Sequence, residues 1–259
     1  MPESIYINTP ALIFGFLIEI SFIFIYSFIN IKYYKGKLFI ILIGVAGFIC
    51  SVTLEGLSAK LLSKIFGEKS LIFTYSILFF PGVFEETGRY ICLDCLVKTN
   101  NKIMAISYGI GHGGFESFVI GISLLNNLIM KDSLINQGIL KEDLTFGIIF
   151  TGVFERFVCV FIQISLSVIV YKAVKKRKIK YFISAVFLHD FIDLFAFFYQ
   201  RGIIKNIYVV EAIICLLSIL LSRYAYKLYI SLEDEIKEES NKIEITMKDK
   251  TGENELLYI

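Results

Sequence analysis

Only two histidines occur in this chain, and both lie inside hydrophobic stretches long enough to cross a membrane. His112 sits in Tyr-Gly-Ile-Gly-His-Gly-Gly-Phe-Glu (108–116) and His189 in His-Asp-Phe-Ile-Asp (189–193). Each has a carboxylate four residues further on, Glu116 and Asp193, and a third apolar stretch carries Glu85, Glu86 and Arg89. An ionisable side chain at bilayer depth costs on the order of 3 kcal/mol on insertion scales. A chain that carries this many there has a use for them, and chemistry is the leading one. Residues at i and i+4 share a helix face, so His112 with Glu116, His189 with Asp193, and Glu85 with Arg89 each read as one-faced pairs. Glu86 is three residues from Arg89, so the guanidinium can reach either glutamate. The carboxylate beside it is held ionised, which leaves the other free to work as a base or an acid.

The elements that must hold these groups are apolar helices. Of the 259 residues 56% are hydrophobic, against about 45–50% in soluble domains, and mean hydropathy is +0.69. Ile, Leu and Phe come in blocks of roughly 20, the length that spans a hydrocarbon core of about 30 Å. This excludes an ordinary soluble enzyme. The expected fold is an all-α polytopic transmembrane bundle with spans near 8–30, 37–58, 71–97, 102–130, 144–171, 180–199 and 206–230. Residues 1–230 would form the membrane domain and 231–259 a charged cytoplasmic tail. The first span is too long, and lacks the basic leader, for a cleavable signal. Pro81-Gly82 interrupts the third span just before Glu85, a break tolerated where the freed backbone lines protein. Four glycines in 109–114 flank His112 and invite close approach of a neighbouring helix.

Five cysteines, scattered through apolar segments, read as reduced and buried. Cys92 and Cys95 have a Cys-x-x-Cys spacing without a second pair and read as structural. A net charge of +2 gives no reason to expect a nucleic-acid partner; the distribution of basic residues says more. Lys32, Lys35, Lys37, Lys98, Lys102 and the cluster Lys172, Lys175, Lys176, Arg177, Lys178 and Lys180 fall on one side, with Arg223 and Lys227. The opposite side holds fewer: Lys60, Lys64, Lys69, Lys131, Lys141, Arg201 and Lys205. This bias predicts an N-terminus outside the cell membrane and a C-terminus in the cytoplasm. Counted from the basic ends at about 1.5 Å per residue, Glu85, His112 and His189 lie roughly 20, 15 and 14 Å deep. Three helices thus bring ionisable groups into one slab.

At these residues the chain resembles the YhfC family of intramembrane proteases, relatives of the CAAX-processing and bacteriocin-immunity endopeptidases. The resemblance rests on Phe-Glu-Glu-Thr-Gly-Arg-Tyr (84–90), the stretch 108–116 and the stretch 189–193, in that order, and covers about residues 8–230. Asp193 stands where the wider group more usually has Asn. The resemblance implies that Glu85 with His112 activates a water for attack on a peptide carbonyl. His189, helped by Asp193, would stabilise the oxyanion or orient the water. The same atoms offer a second route, in which His112, His189 and Glu85 ligate Zn²⁺ and leave a fourth position to water. Sequence leaves the metal-assisted and glutamate-type routes open. The implied partner is a membrane-embedded or lipid-anchored peptide or protein, within the bilayer.

Glu116 can serve in catalysis or merely hydrogen-bond His112 and fix its tautomer. Glu155 and Arg156 are adjacent, point to different faces and read as structural pairs with other helices. Glu19 and Glu55 have no motif around them. The rival class is a proton-coupled transporter with a Glu/His relay; a single helix break and no evident internal repeat weigh against it.

Overall fold

A computed structural model describes residues 7–96, 101–137 and 144–255, with residues 233–255 as backbone alone. Lys98 and Lys141, which enter the orientation and depth readings, lie outside the described residues. The architecture is an all-α polytopic bundle: α1 (Thr9–Tyr34), α2 (Leu38–Phe66), α3 (Leu71–Ile91), α4 (Ile103–Ile129), the short α5 (Lys131–Asn136), α6 (Phe146–Lys176), α7 (Ile179–Gln200) and α8 (Ile207–Glu255). A π-helical turn, Cys92–Leu96, follows α3 and contains the Cys-x-x-Cys pair. The helix ends follow local chemistry. The Asn8 side chain accepts from Ala11 N with Pro10 in the first turn, and Ser70 and Thr145 cap α3 and α6 in the same way. Lys35 and Arg177 end α1 and α6 in the left-handed region, at φ 57° and 52°.

Each expected span coincides with a long helix, but only five of them, α1, α2, α6, α7 and Ile207–Leu232 of α8, are long and apolar enough by themselves to cross a membrane. The two that fall short, α3 and α4, are those that carry Glu85, Glu86 and Arg89, and His112 and Glu116. Their outer faces are apolar nonetheless. Leu71, Ile72, Tyr75, Phe79 and Val83 of α3, and Val119, Ile120 and Ile122 of α4, are exposed. Exposed Phe14, Phe24, Phe28, Phe39, Leu57 and Phe187 continue the band around the molecule. An apolar surface of this extent marks a face that meets lipid or protein, and it is carried by helices of membrane-spanning length. The backbone of α8 continues past residue 230, where a separate tail was expected to begin.

The centre of the bundle is α6, with 78% of its most apolar stretch buried against 22% for α1 and α7. It packs against α4, α8, α1, α7 and α3, and Leu166, Ile169 and Tyr171 meet Met104 and Tyr108 in the core. The glycines near His112 let three helices close on α4. A Cβ on Gly111 would lie 1.9 Å from Ile41 O of α2, and one on Gly44 of α2 would lie 2.2 Å from Tyr108 O. Gly109 and Gly113 face α6 at Ile164 and Gln163, and Gly114 faces Ile23 of α1. The interruption expected at Pro81-Gly82 does not occur: α3 runs as one helix through Pro81, and Gly82 N donates to Asp190 Oδ1 of α7 at 2.8 Å. Ser51 Oγ of α2 donates to Phe84 O at 3.2 Å and ties the same stretch to α2.

Candidate functional site

The lower half of α3 turns its charged residues inward, and Glu85, Glu86 and Arg89 are all buried. Successive residues of a helix diverge by about 100°, so the two glutamates acquire different partners. Glu85 Oε2 lies 2.8 Å from His112 Nε2 on α4. Glu86 Oε1 lies 2.8 Å from His189 Nδ1 on α7, and both its oxygens are engaged by Arg89 Nη1, at 2.9 and 3.1 Å. Of the two glutamates in Arg89's reach, the neighbour three residues away is the one it pairs with. With its Nδ1 committed to Glu86, His189 turns Nε2 towards Glu85 Oε2, 3.8 Å away, and Asp193 Oδ2, 3.6 Å away. Both separations exceed a hydrogen bond.

His112 is fully buried, with Phe48 edge-on to its ring at 5.2 Å between centroids and Tyr108 tilted beside it at 6.0 Å. Among the described residues its Nδ1 has no hydrogen-bond partner, so Glu116 does not fix its tautomer. Glu116 instead accepts from Arg156 Nη1 at 2.6 Å and from Gln163 Nε2 at 3.1 Å. It therefore lies one link away from the Glu85 cluster. Arg156 also donates to its own neighbour Glu155; the adjacent pair meets through the length of the arginine side chain instead of pointing apart. Glu19 lies within electrostatic range of Arg156 and Glu155, and Glu55 within range of Glu85, Asp193 and His189.

Two residues of the site were passed over in the sequence. Gln163 of α6 donates from Nε2 to Glu85 Oε2 at 3.2 Å, and its Oε1 accepts from Arg89 Nη2. An amide in an otherwise apolar span was the available signal. Asp190, next to His189, holds Gly82 N and so fixes α7 against α3; an acid beside a histidine was its signal.

The donor types suit a zinc ion, and the Glu86 carboxylate on His189 Nδ1 resembles the outer partner of metal-bound histidines. The spacing does not suit it. Zinc ligands at 2.0–2.2 Å lie roughly 3.3 Å from one another, whereas His112 Nε2 and Glu85 Oε2 close to 2.8 Å and hydrogen-bond directly. Among the described residues no group of three His, Cys, Asp or Glu donors is placed to hold an ion.

This geometry belongs to a class of polytopic membrane proteins that bury a Glu/His cluster within a helical bundle. Residues 16–214 match the profile of the YhfC intramembrane metalloprotease family, most of the chain, and the chain belongs to that family. It is 31% identical over 160 residues to the uncharacterized membrane protein YhfC of Bacillus subtilis (strain 168), a match covering 54% of this chain and 62% of that one. The match thus spans less than two thirds of that relative's length. No solved structure matches the chain.

Proposed function

We propose that the chain is an intramembrane peptidase that hydrolyses a peptide bond of a membrane-embedded or lipid-anchored substrate. The observation that carries this reading is the division of two adjacent glutamates, Glu86 bound to Arg89 and His189, Glu85 bound to His112 and Gln163. All described contacts of Glu85 go to Oε2, so Oε1 is the oxygen that takes a proton from a water held against His189 Nε2 and Asp193 Oδ2. The water oxygen attacks the carbonyl carbon, and Glu85 then returns the proton to the leaving amine as the C–N bond breaks. His112 holds Glu85 in place. His189 presents a ring N–H to the developing oxyanion, its other nitrogen anchored by Glu86. The bias of Lys and Arg supports an N-terminus outside and a C-terminus in the cytoplasm, in the cell membrane.

The test uses detergent-purified full-length protein and a panel of tagged single-span peptides, together with metal analysis. Cleavage that resists chelators and is abolished by Glu85→Gln supports the reading. About one Zn²⁺ per chain, lost in His112→Ala and His189→Ala together with chelator-sensitive cleavage, would make these histidines ligands and overturn the glutamate-type route. Normal cleavage by Glu85→Gln would remove Glu85 from the mechanism.

A further inference from the structure

Gln163 is 4% exposed and lies where α6 packs against α4. Its side chain is admitted by Gly113, where an added Cβ would lie 2.7 Å from Gln163 Cβ and 3.0 Å from its Cγ. The amide has only one possible orientation. Arg89 carries donors alone, so the oxygen must face Nη2 and the NH₂ group must face away from it. The two N–H bonds are then aimed at two carboxylates on different helices, Glu85 Oε2 at 3.2 Å and Glu116 Oε2 at 3.1 Å. Glu116 in turn holds Arg156 at 2.6 Å, and Arg156 holds Glu155. One uncharged side chain thus joins the pair Glu86–Arg89, the base Glu85 and a second ion cluster.

We infer that Gln163 is the positioning residue of Glu85, fixing the carboxylate with Oε2 saturated and Oε1 free. This rests on the reading of Glu85 as the base. His112 and Gln163 together supply two donors to the same oxygen, which leaves one rotamer and one reactive lone-pair set. The separation of Glu85 from Glu116 by a neutral donor also lets two carboxylates share a low-dielectric region without direct opposition. A glutamate at 163 would keep the acceptor for Arg89 and place a third carboxylate between the other two. A hydrophobe of the same length would remove all three contacts.

The experiment is carbodiimide labelling of full-length protein in detergent. Dicyclohexylcarbodiimide modifies protonated carboxyls in apolar surroundings, and mass spectrometry reads each site separately. Gln163→Met removes both N–H donors, and one charge-assisted bond suffices for an increase of about tenfold in labelling at Glu85 at fixed pH. Glu19, buried and without contact to Gln163, stays at the wild-type level. Should Gln163→Met not fold, Gln163→Leu likewise removes both donors without adding a charge and gives the same rise. In the peptide assay the variant lowers kcat and leaves KM unchanged, and the acidic limb of its rate profile moves to higher pH. Unchanged labelling at Glu85 overturns the inference, as does an equal rise at Glu85 and Glu19, the signature of general loosening. If no peptide is cleaved by the wild type, the peptidase reading falls, while the labelling still decides whether Gln163 governs Glu85.

Discussion

At the scale of single residues the division between the glutamates makes opposite forecasts for the two. On the proposed reading, Glu85→Gln keeps the shape and the His112 contact but removes the base, and is expected to cost 10²–10⁴-fold in hydrolysis with little change in thermal stability. Glu86→Gln strips Arg89 of its counter-charge at a site with no exposure on either side chain. A buried pair broken on one side loses about 3–5 kcal/mol, so this variant should unfold at markedly lower temperature in detergent. Glu86→Gln combined with Arg89→Met should recover most of that loss; no recovery would show that Arg89 is not the cause. The gathering of Glu85, Glu86, Arg89, His112, His189 and Asp193 was legible in the sequence, because ionisable groups in apolar spans at matched depth have few other places to go. Glu116 was not, because i,i+4 spacing says that two residues share a face and nothing about a third helix carrying Arg156 and Gln163.

At the scale of helices, two devices set the positions of those groups, and each can be broken separately. Gly111→Ala puts a methyl 1.9 Å from Ile41 O, a backbone atom that has nowhere to go. It should separate α2 from α4 at a cost of about 3 kcal/mol or more, whereas Gly56→Ala, with nothing within 4 Å, should be neutral. Denaturation in mixed micelles measures both. Asp190→Ala removes the acceptor that Gly82 N finds on α7 and the tie between α3 and α7, at a cost of about 1–3 kcal/mol. The helices themselves were legible from blocks of apolar residues. The close contacts were half legible: glycines announce proximity, but only packing tells that Gly109 and Gly113 serve α6, Gly111 serves α2 and Gly114 serves α1.

At the scale of the whole molecule, the basic residues of the α6–α7 junction and those beside α1 and α2 should face the cytoplasm. Single cysteines introduced near Lys37 and Lys178 should label only after membranes are made permeable; labelling of intact cells at either would reverse the orientation. The site itself is closed on nearly all sides. Side-chain exposure is 0% for Glu86 and His112, 5% for His189 and 9% for Glu85, but 40% for Asp193. On the proposed reading, Asp193 is the most open side of the site, and the exposed surface of Glu85 is small beside the 10–12 Å diameter of a helix with its side chains. The carbonyls of an intact transmembrane helix are already engaged in its own hydrogen bonds. The protein should therefore select its victims by how readily they unravel: a single-span peptide with Gly-Pro near its centre should be cut, and its poly-leucine counterpart of equal length should survive.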